Sequence, residues 1–191
     1  MLMNATFLSE QFKAGLDYAS YVATGKPEQQ RRWNDFYKIP TLGESQRQLI
    51  GGFVREMNVL VVSGIWCGDC VQQVPLLQKI VEAGSQKISM KIVDRDVHKE
   101  LSSQLRTNAG DRVPVVLFLA EDFELCAIFG DRTLNRYRAL AARQLGVSCP
   151  IGIVPPDAGE VTATLGDWLG EFERVQLMLR LSARLRQKHG D

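Results

Sequence analysis

Little in this sequence marks a secreted, membrane-bound or polyanion-binding protein. Its 191 residues include only four cysteines, at 67, 70, 126 and 149. That is too few, in a chain this long, for a disulfide-stapled secreted scaffold. No stretch approaches the roughly 18 consecutive apolar residues of a membrane span. Residues 1–10 carry neither a basic leader nor an uninterrupted apolar run, so no export signal is expected and the expected location is cytoplasmic. Net charge is scarce as well. The 23 basic residues stand against 22 acidic ones, which leaves no overall field to hold a nucleic acid. Internal repeats and low-complexity segments are absent. What is present is a globular composition, 45% hydrophobic and 24% charged, which excludes disordered and fibrous classes. The length suits one domain with additions better than two domains.

The first third reads as helix. Leu8, Phe12, Leu16 and Ala19 recur at spacings of three and four over Phe7 to Val22, until Gly25-Lys26-Pro27 interrupts them. A second helix is predicted over Glu28 to Tyr37 and a third over Glu44 to Met57. At Asn58 the pattern changes. The β-branched run from Val59 to Ile65 predicts a central strand buried on both faces. Val74, Leu77 and Val81 then mark a helix, Lys87 to Val93 a second strand, and His98 to Arg106 another helix. Strand, helix, strand implies a parallel pair. Val113 to Leu119 and Glu124 to Phe129 are close enough to form an antiparallel hairpin, with Pro114 confined to the start of its strand. Arg132 to Leu145 reads as helix, Gly152 to Pro156 as an exposed loop, and Val161 to Lys188 as a long terminal helix.

The chemistry concentrates where the first strand runs into Trp66-Cys67-Gly68-Asp69-Cys70 and then a helix. Two residues between cysteines at a helix start let the sulfurs approach bonding distance, with the first exposed and the second shielded. The unpaired N–H groups and the positive end of the helix dipole favour an anion at Cys67. The thiolate is the nucleophile, so Cys67 is the attacking residue and Cys70 the resolving one. The competing reading is half of a structural zinc site. That needs two further ligands, and Cys126, Cys149, His98 and His189 are scattered singly, so no metal site is expected.

With these residues in view, the chain resembles thioredoxins and thioredoxin-like proteins over roughly residues 58–145. Trp66-Cys67-Gly68-x-Cys70 matches the active-site motif, and Pro75 falls at a helix-kinking proline. Val113-Pro114 is similar to the cis-proline dipeptide that faces the cysteines, and Gly130 to a glycine after the last hairpin strand. The resemblance implies an α/β thioredoxin-like fold, a central mixed sheet of about four strands flanked by helices. Residues 1–57 and 147–191 would be helical extensions around a core of 58–146, in one compact domain. It further implies that Trp66, Gly68, Asp69, Val113 and Pro114 line the substrate-binding surface, that Val113 offers backbone groups to an extended substrate, and that Pro114 keeps metals off the sulfurs. Three departures stand out. Asp69 replaces the usual proline and places a carboxylate near Cys67, which disfavours the thiolate unless the side chain caps the helix and points away. Val61 occupies the position of a buried acid that serves the family as proton shuttle. Val71 replaces a common lysine and predicts a more apolar rim. The Trp-Cys-Gly-Asp-Cys form looks like a subgroup of bacterial thioredoxin-like proteins with helical N-terminal extensions.

The remaining features have plainer readings. Trp33, Phe36 and Tyr37 at helical spacing read as packing, Cys126 as a small core residue, His98 as a surface residue ahead of a helix, and Arg180 to Lys188 as a solvated helix end. The expected function is a thiol–disulfide oxidoreductase acting on protein disulfides, with no bound cofactor and with electrons from a reductase or small thiol. The alternative is a thioredoxin-fold binding or redox-sensing module without turnover.

Overall fold

Every residue of the strand Val115–Ala120 is buried, and the strand sits inside a four-stranded sheet. The computed structural model describes residues 3–84, 86–145 and 158–191. Along the chain run α1 (Ala5–Ala14), α2 (Tyr18–Ala23), α3 (Pro27–Tyr37), α4 (Glu44–Gly51), β1 (Met57–Ser63), α5 (Gly68–Ala83), β2 (Ile88–Asp94) and α6 (Lys99–Ser102). There follow β3 (Val115–Ala120), β4 (Leu125–Gly130), α7 (Leu134–Leu145), α8 (Ala158–Leu181) and α9 (Ala183–His189). The sheet order is β2-β1-β3-β4. β1 pairs in parallel with β2 and antiparallel with β3, while β3 and β4 form an antiparallel hairpin. The mixed sheet of four strands is the one expected from the sequence.

The helical regions differ from periodicity in instructive ways. The first predicted helix is two, because Gly15 ends α1 and Leu16 instead pairs with the outer edge of β2, its N–H donating to Ile92 O at 2.9 Å and its carbonyl accepting from Ile92 N at 2.8 Å. Asp17 then caps α2 by accepting from Ser20 N at 2.8 Å. Leu16 and Ala19, placed on an apolar helix face by spacing, are exposed. The α4 helix stops at Gly51, not Met57, since Gly51-Gly52 is a poor continuation and Gly52 is its C-cap. The helix predicted to reach Arg106 is only the turn Lys99–Ser102. β3 begins at Val115, after a cis Val113-Pro114 bond. The terminal helix breaks at Ser182, which caps α9 through Leu185 N at 3.5 Å. Cys149 and the Gly152 to Pro156 loop lie outside the described residues.

Helix α5 lies against α3, α4, α8 and β2. Its buried face includes Val71, Val74, Leu76, Leu77 and Ile80. Val71 is therefore core and not the apolar rim expected. Val61, where the family's buried acid would stand, is fully buried in β1. From α8, Phe172 meets Phe118 with ring centroids 5.1 Å apart and Trp168 meets Phe129 at 4.9 Å, so the C-terminal helix contributes directly to the core.

Candidate active site

β1 delivers the chain to residues 64–66, and Cys67 is the N-cap of α5. Cys67 is half-buried and Cys70, one turn into the helix, is fully buried; both are free thiols. The Cys67 thiol lies 3.5 Å from the Val113 carbonyl, the residue before the cis Pro114. The Gly64 N–H points at Cys70 Sγ at 3.5 Å. Gly130 backs this arrangement from the hairpin. A Cβ there would fall 3.0 Å from Val115 Cγ2 and 3.1 Å from the Pro114 carbonyl oxygen, so a side chain would press on the strand that follows Pro114.

The two thiols are electrostatically unequal. Cys67 is lowered from the ordinary 9.0 to about 7, chiefly by hydrogen bonding from the Cys70 side chain. Burial opposes the shift, the backbone N–H groups of Cys70 and Asp69 assist it, and the Asp69 carboxylate works against it. Burial pushes Cys70 well above its ordinary value, and its neighbour Cys67 reinforces this. Such a pair has one thiol ready to ionise near neutrality and one kept protonated.

Asp69 does not hang free beside the sulfur. Arg132 holds one carboxylate oxygen through Nε at 3.0 Å and a terminal nitrogen at 2.6 Å. Arg136, buried, takes the other oxygen at 3.1 Å and reaches Glu160 of α8 at 2.5 Å. Arg143 closes the chain onto Glu160 at 2.6 Å. The acid of the Cys-x-x-Cys motif is thus tied to the helices after the hairpin. Beside it, the buried Asp131 accepts from Tyr137 and from Arg112 at 3.2 Å. Arg132 and Arg136 stand four apart in sequence, but nothing local identifies Asp69 as their partner.

Trp66 is 47% exposed, and the Arg95 guanidinium stacks 4.8 Å from its ring. Arg95 also donates to the Asp111 carbonyl at 2.8 Å, linking the tryptophan to the loop before Pro114. Of the residues named from the motif, Cys67, Cys70 and Val113 come together directly, Gly68 opens α5, Pro114 is buried behind Val113, Trp66 lies outward, and Asp69 turns toward the arginines. Residues that motif reasoning missed come from the N-terminal helices. Trp33 is fully buried and donates from its indole nitrogen to Ile65 O at 2.9 Å, immediately before the motif. Burial raises the Tyr21 phenol of α2, and the charges of Cys70 and Cys67 add to the shift.

Trp33 and Phe36 are core residues, as packing requires. His98 is half-buried and not superficial, with Nδ1 2.7 Å from Gln11 Oε1. Cys126 is half-buried on the edge strand β4. Part of the basic C-terminus is not merely solvated, because Arg184 pairs with Asp122 and Lys188 with Glu121 at the β3–β4 turn. Among the described residues, no group of three or more His, Cys, Asp or Glu side chains is placed to hold a metal ion. No helix among them is long and apolar enough to cross a membrane.

A strand leading into a Cys-x-x-Cys helix start, opposite a cis-proline loop on a mixed sheet, defines a thioredoxin-like protein. A family model described as thioredoxin matches residues 15–142, and the chain belongs to that family. The match begins upstream of the resemblance at 58, so it takes in α2, α3 and α4. Among solved structures, a Pseudomonas aeruginosa protein of unknown function is similar at 21% identity and TM-score 0.67, covering 87% of this chain and 95% of that one. An HIV epitope scaffold is similar at 22% identity and TM-score 0.61, covering 92% and 98%. The germline-specific thioredoxin Deadhead of Drosophila melanogaster aligns at 20% identity and TM-score 0.36, over 51% of this chain and 89% of that one. No curated protein matches the sequence.

Proposed function

We propose that this chain is a thiol–disulfide oxidoreductase that reduces protein disulfides, with Cys67 as nucleophile and Cys70 as resolving thiol. The observation that carries the reading is the half-buried Cys67 sulfur at the N-cap of α5, lowered to about 7 and facing the Val113 carbonyl ahead of a cis-proline. Cys67 attacks one sulfur of a partner disulfide. A mixed disulfide forms and the partner's other sulfur leaves as a thiolate. Cys70 then attacks Cys67 Sγ, forming the Cys67–Cys70 disulfide and releasing the reduced partner. Trp66, Gly68, Asp69, Val113 and Pro114 form the surface on which the partner segment docks. No bound cofactor takes part, and a reductase or small thiol in a reducing cytoplasm restores the dithiol. In this reading the chain is of the Trp-Cys-Gly-Asp-Cys subgroup, and its thioredoxin-like core spans residues 58–146.

The test is insulin reduction driven by dithiothreitol. The wild type accelerates precipitation of the insulin B chain and Cys67→Ser does not. Equal rates from both would reject the oxidoreductase in favour of a binding module.

A further inference from the structure

Trp66 is large and exposed, yet its ring is held in place. The indole rests on bare backbone at Gly64, where a Cβ would fall 2.9 Å from Trp66 Cε2 and 3.0 Å from Cζ2. The Arg95 guanidinium lies 4.8 Å from the ring centroid, within cation–π range. Arg95 is itself closely fixed. Its backbone N–H donates to Ser63 O at 2.8 Å, at the end of β1, and its carbonyl accepts from Ser102 Oγ at 2.9 Å, in α6. All three guanidinium nitrogens are used. Nη1 donates to the Asp111 carbonyl at 2.8 Å, while Nε and Nη2 donate to the Asp96 carboxylate at 3.1 and 3.3 Å. Asp96 offsets the charge, so Arg95 acts here through its plane and its donors. Asp111 stands two residues before Val113, whose carbonyl lies 3.5 Å from Cys67 Sγ. The turn ahead of it is already shaped: Thr107 and Gly110 exchange hydrogen bonds at 3.0 Å, with Asn108 and Ala109 left-handed at φ 47° and 59°. Arg106 holds the Asp111 carboxylate at 3.1 Å, and Arg112 reaches Asp131 at 3.2 Å. One guanidinium thus joins the residue before Cys67 to the segment that carries the Val113 carbonyl.

We infer that Arg95 is a positioning residue for protein disulfides: it latches Trp66 to the 107–113 segment and fixes the spacing between the two sides of the docking surface around Cys67 before a partner arrives. The inference rests on the oxidoreductase reading. A partner segment bound between Trp66 and Val113 then meets groups already in place, and no binding energy goes into ordering them. A small disulfide that reaches Cys67 without spanning both sides gains nothing from the latch. Arg95 therefore sets a preference for protein over small-molecule disulfides. Lysine is no substitute, because an ammonium cannot lie flat on the indole and fork to Asp96 and the Asp111 carbonyl at the same time.

Two substrates separate the effects: insulin as a protein disulfide, and 4,4′-dithiodipyridine as a small uncharged one. Arg95→Ala and Arg95→Lys are each expected to raise KM for insulin about five- to tenfold and to leave kcat within about twofold of wild type. In both variants the reaction with 4,4′-dithiodipyridine keeps its wild-type rate. Acrylamide quenching of tryptophan fluorescence gives a second readout, because Trp33 and Trp168 are fully buried and the quencher reaches Trp66. Quenching is expected to rise in Arg95→Ala. In a Trp66→Ala background the effect of Arg95→Ala on KM shrinks, since one end of the latch is gone. An insulin KM in Arg95→Ala within about twofold of wild type overturns the inference. Full recovery in Arg95→Lys also overturns it, since charge alone then suffices. So does equal slowing with 4,4′-dithiodipyridine, which marks a distortion at Cys67 itself. If the wild type turns over insulin and Arg95→Ala matches its KM, only this inference falls. If the wild type does not reduce insulin, the oxidoreductase reading falls and takes this inference with it.

Discussion

At Cys67 two effects of opposite sign meet, and the thiolate wins. Hydrogen bonding from Cys70 and the N–H groups at the start of α5 outweigh burial and the neighbouring Asp69 carboxylate. Alkylation of Cys67 by iodoacetamide is therefore expected to accelerate as pH rises, with a midpoint near pH 7, and to plateau above it. A midpoint close to the ordinary 9.0 would contradict this. Asp69 permits a sharper test. Arg132 and Arg136 share its two oxygens, so its charge reaches the sulfur partly neutralised. Asp69→Asn is expected to lower the Cys67 midpoint by roughly 0.5–1 pKa unit, worth ~1.4 kcal/mol per unit, and to make the pair more oxidising. Arg132→Ala is expected to raise the midpoint by roughly half a unit through the unmasked carboxylate. In an Asp69→Asn background the same arginine change has nothing to unmask. A double-mutant cycle on the alkylation midpoint reads the coupling, and equal effects of Arg132→Ala in both backgrounds would refute the link.

Individual elements show where sequence reasoning reaches and where it stops. β1 and α5 were legible because a short β-branched run and a three-four spacing each have one structural outcome, and the motif sits at their junction. Gly15 to Asp17 misled because Leu16 keeps helical spacing with Phe12, while its actual partner, Ile92, is far away in sequence. The service α3 provides to the site was hidden for the same reason. Nothing near Trp33 announces that its indole N–H supports Ile65 O, 32 residues onward, or that Gly25 passes close to the Ile65 side chain. A Cβ at Gly25 would stand 2.8 Å from Ile65 Cγ1. Trp33→Phe retains most of the packing and loses the hydrogen bond, leaving a half-buried carbonyl unpaired. The expected cost is about 1–3 kcal/mol in urea unfolding of the reduced chain. An unchanged urea midpoint would mean that Ile65 O finds another donor.

Over the whole molecule, charged side chains join parts of the chain that no local pattern relates. One network runs from Asp69 at the start of α5 through Arg136 and Glu160 to Arg143, tying α5, α7 and α8. Another fastens α9 to the β3–β4 turn, through Arg184 to Asp122 and through Lys188 and His189 to Glu121. Burial raises Glu160, but hydrogen bonds from Arg143 and Arg136 more than offset it and hold the carboxyl below its ordinary value. Lys188, the largest influence on Glu121, lowers that carboxyl too. A carboxyl lowered by folding contributes stability above its unfolded pKa and loses it as pH falls through the folded value. The urea midpoint is therefore expected to drop as pH falls below about 4, and Glu160→Gln should flatten that drop. The α9 tail offers a different kind of separation. Its Arg184–Asp122 pair is exposed and worth little, whereas Leu185 is fully buried, so Leu185→Ala is expected to cost about 2–5 kcal/mol by urea unfolding. None of the groups acting most strongly on Cys67 lies in α9. Removal of residues 183–191 should then lower the urea midpoint while the Cys67 alkylation midpoint stays near pH 7. A rise in that midpoint on truncation would instead mean that the distant helix sets the sulfur's charge, and the sulfur's own hydrogen bonds would no longer account for it.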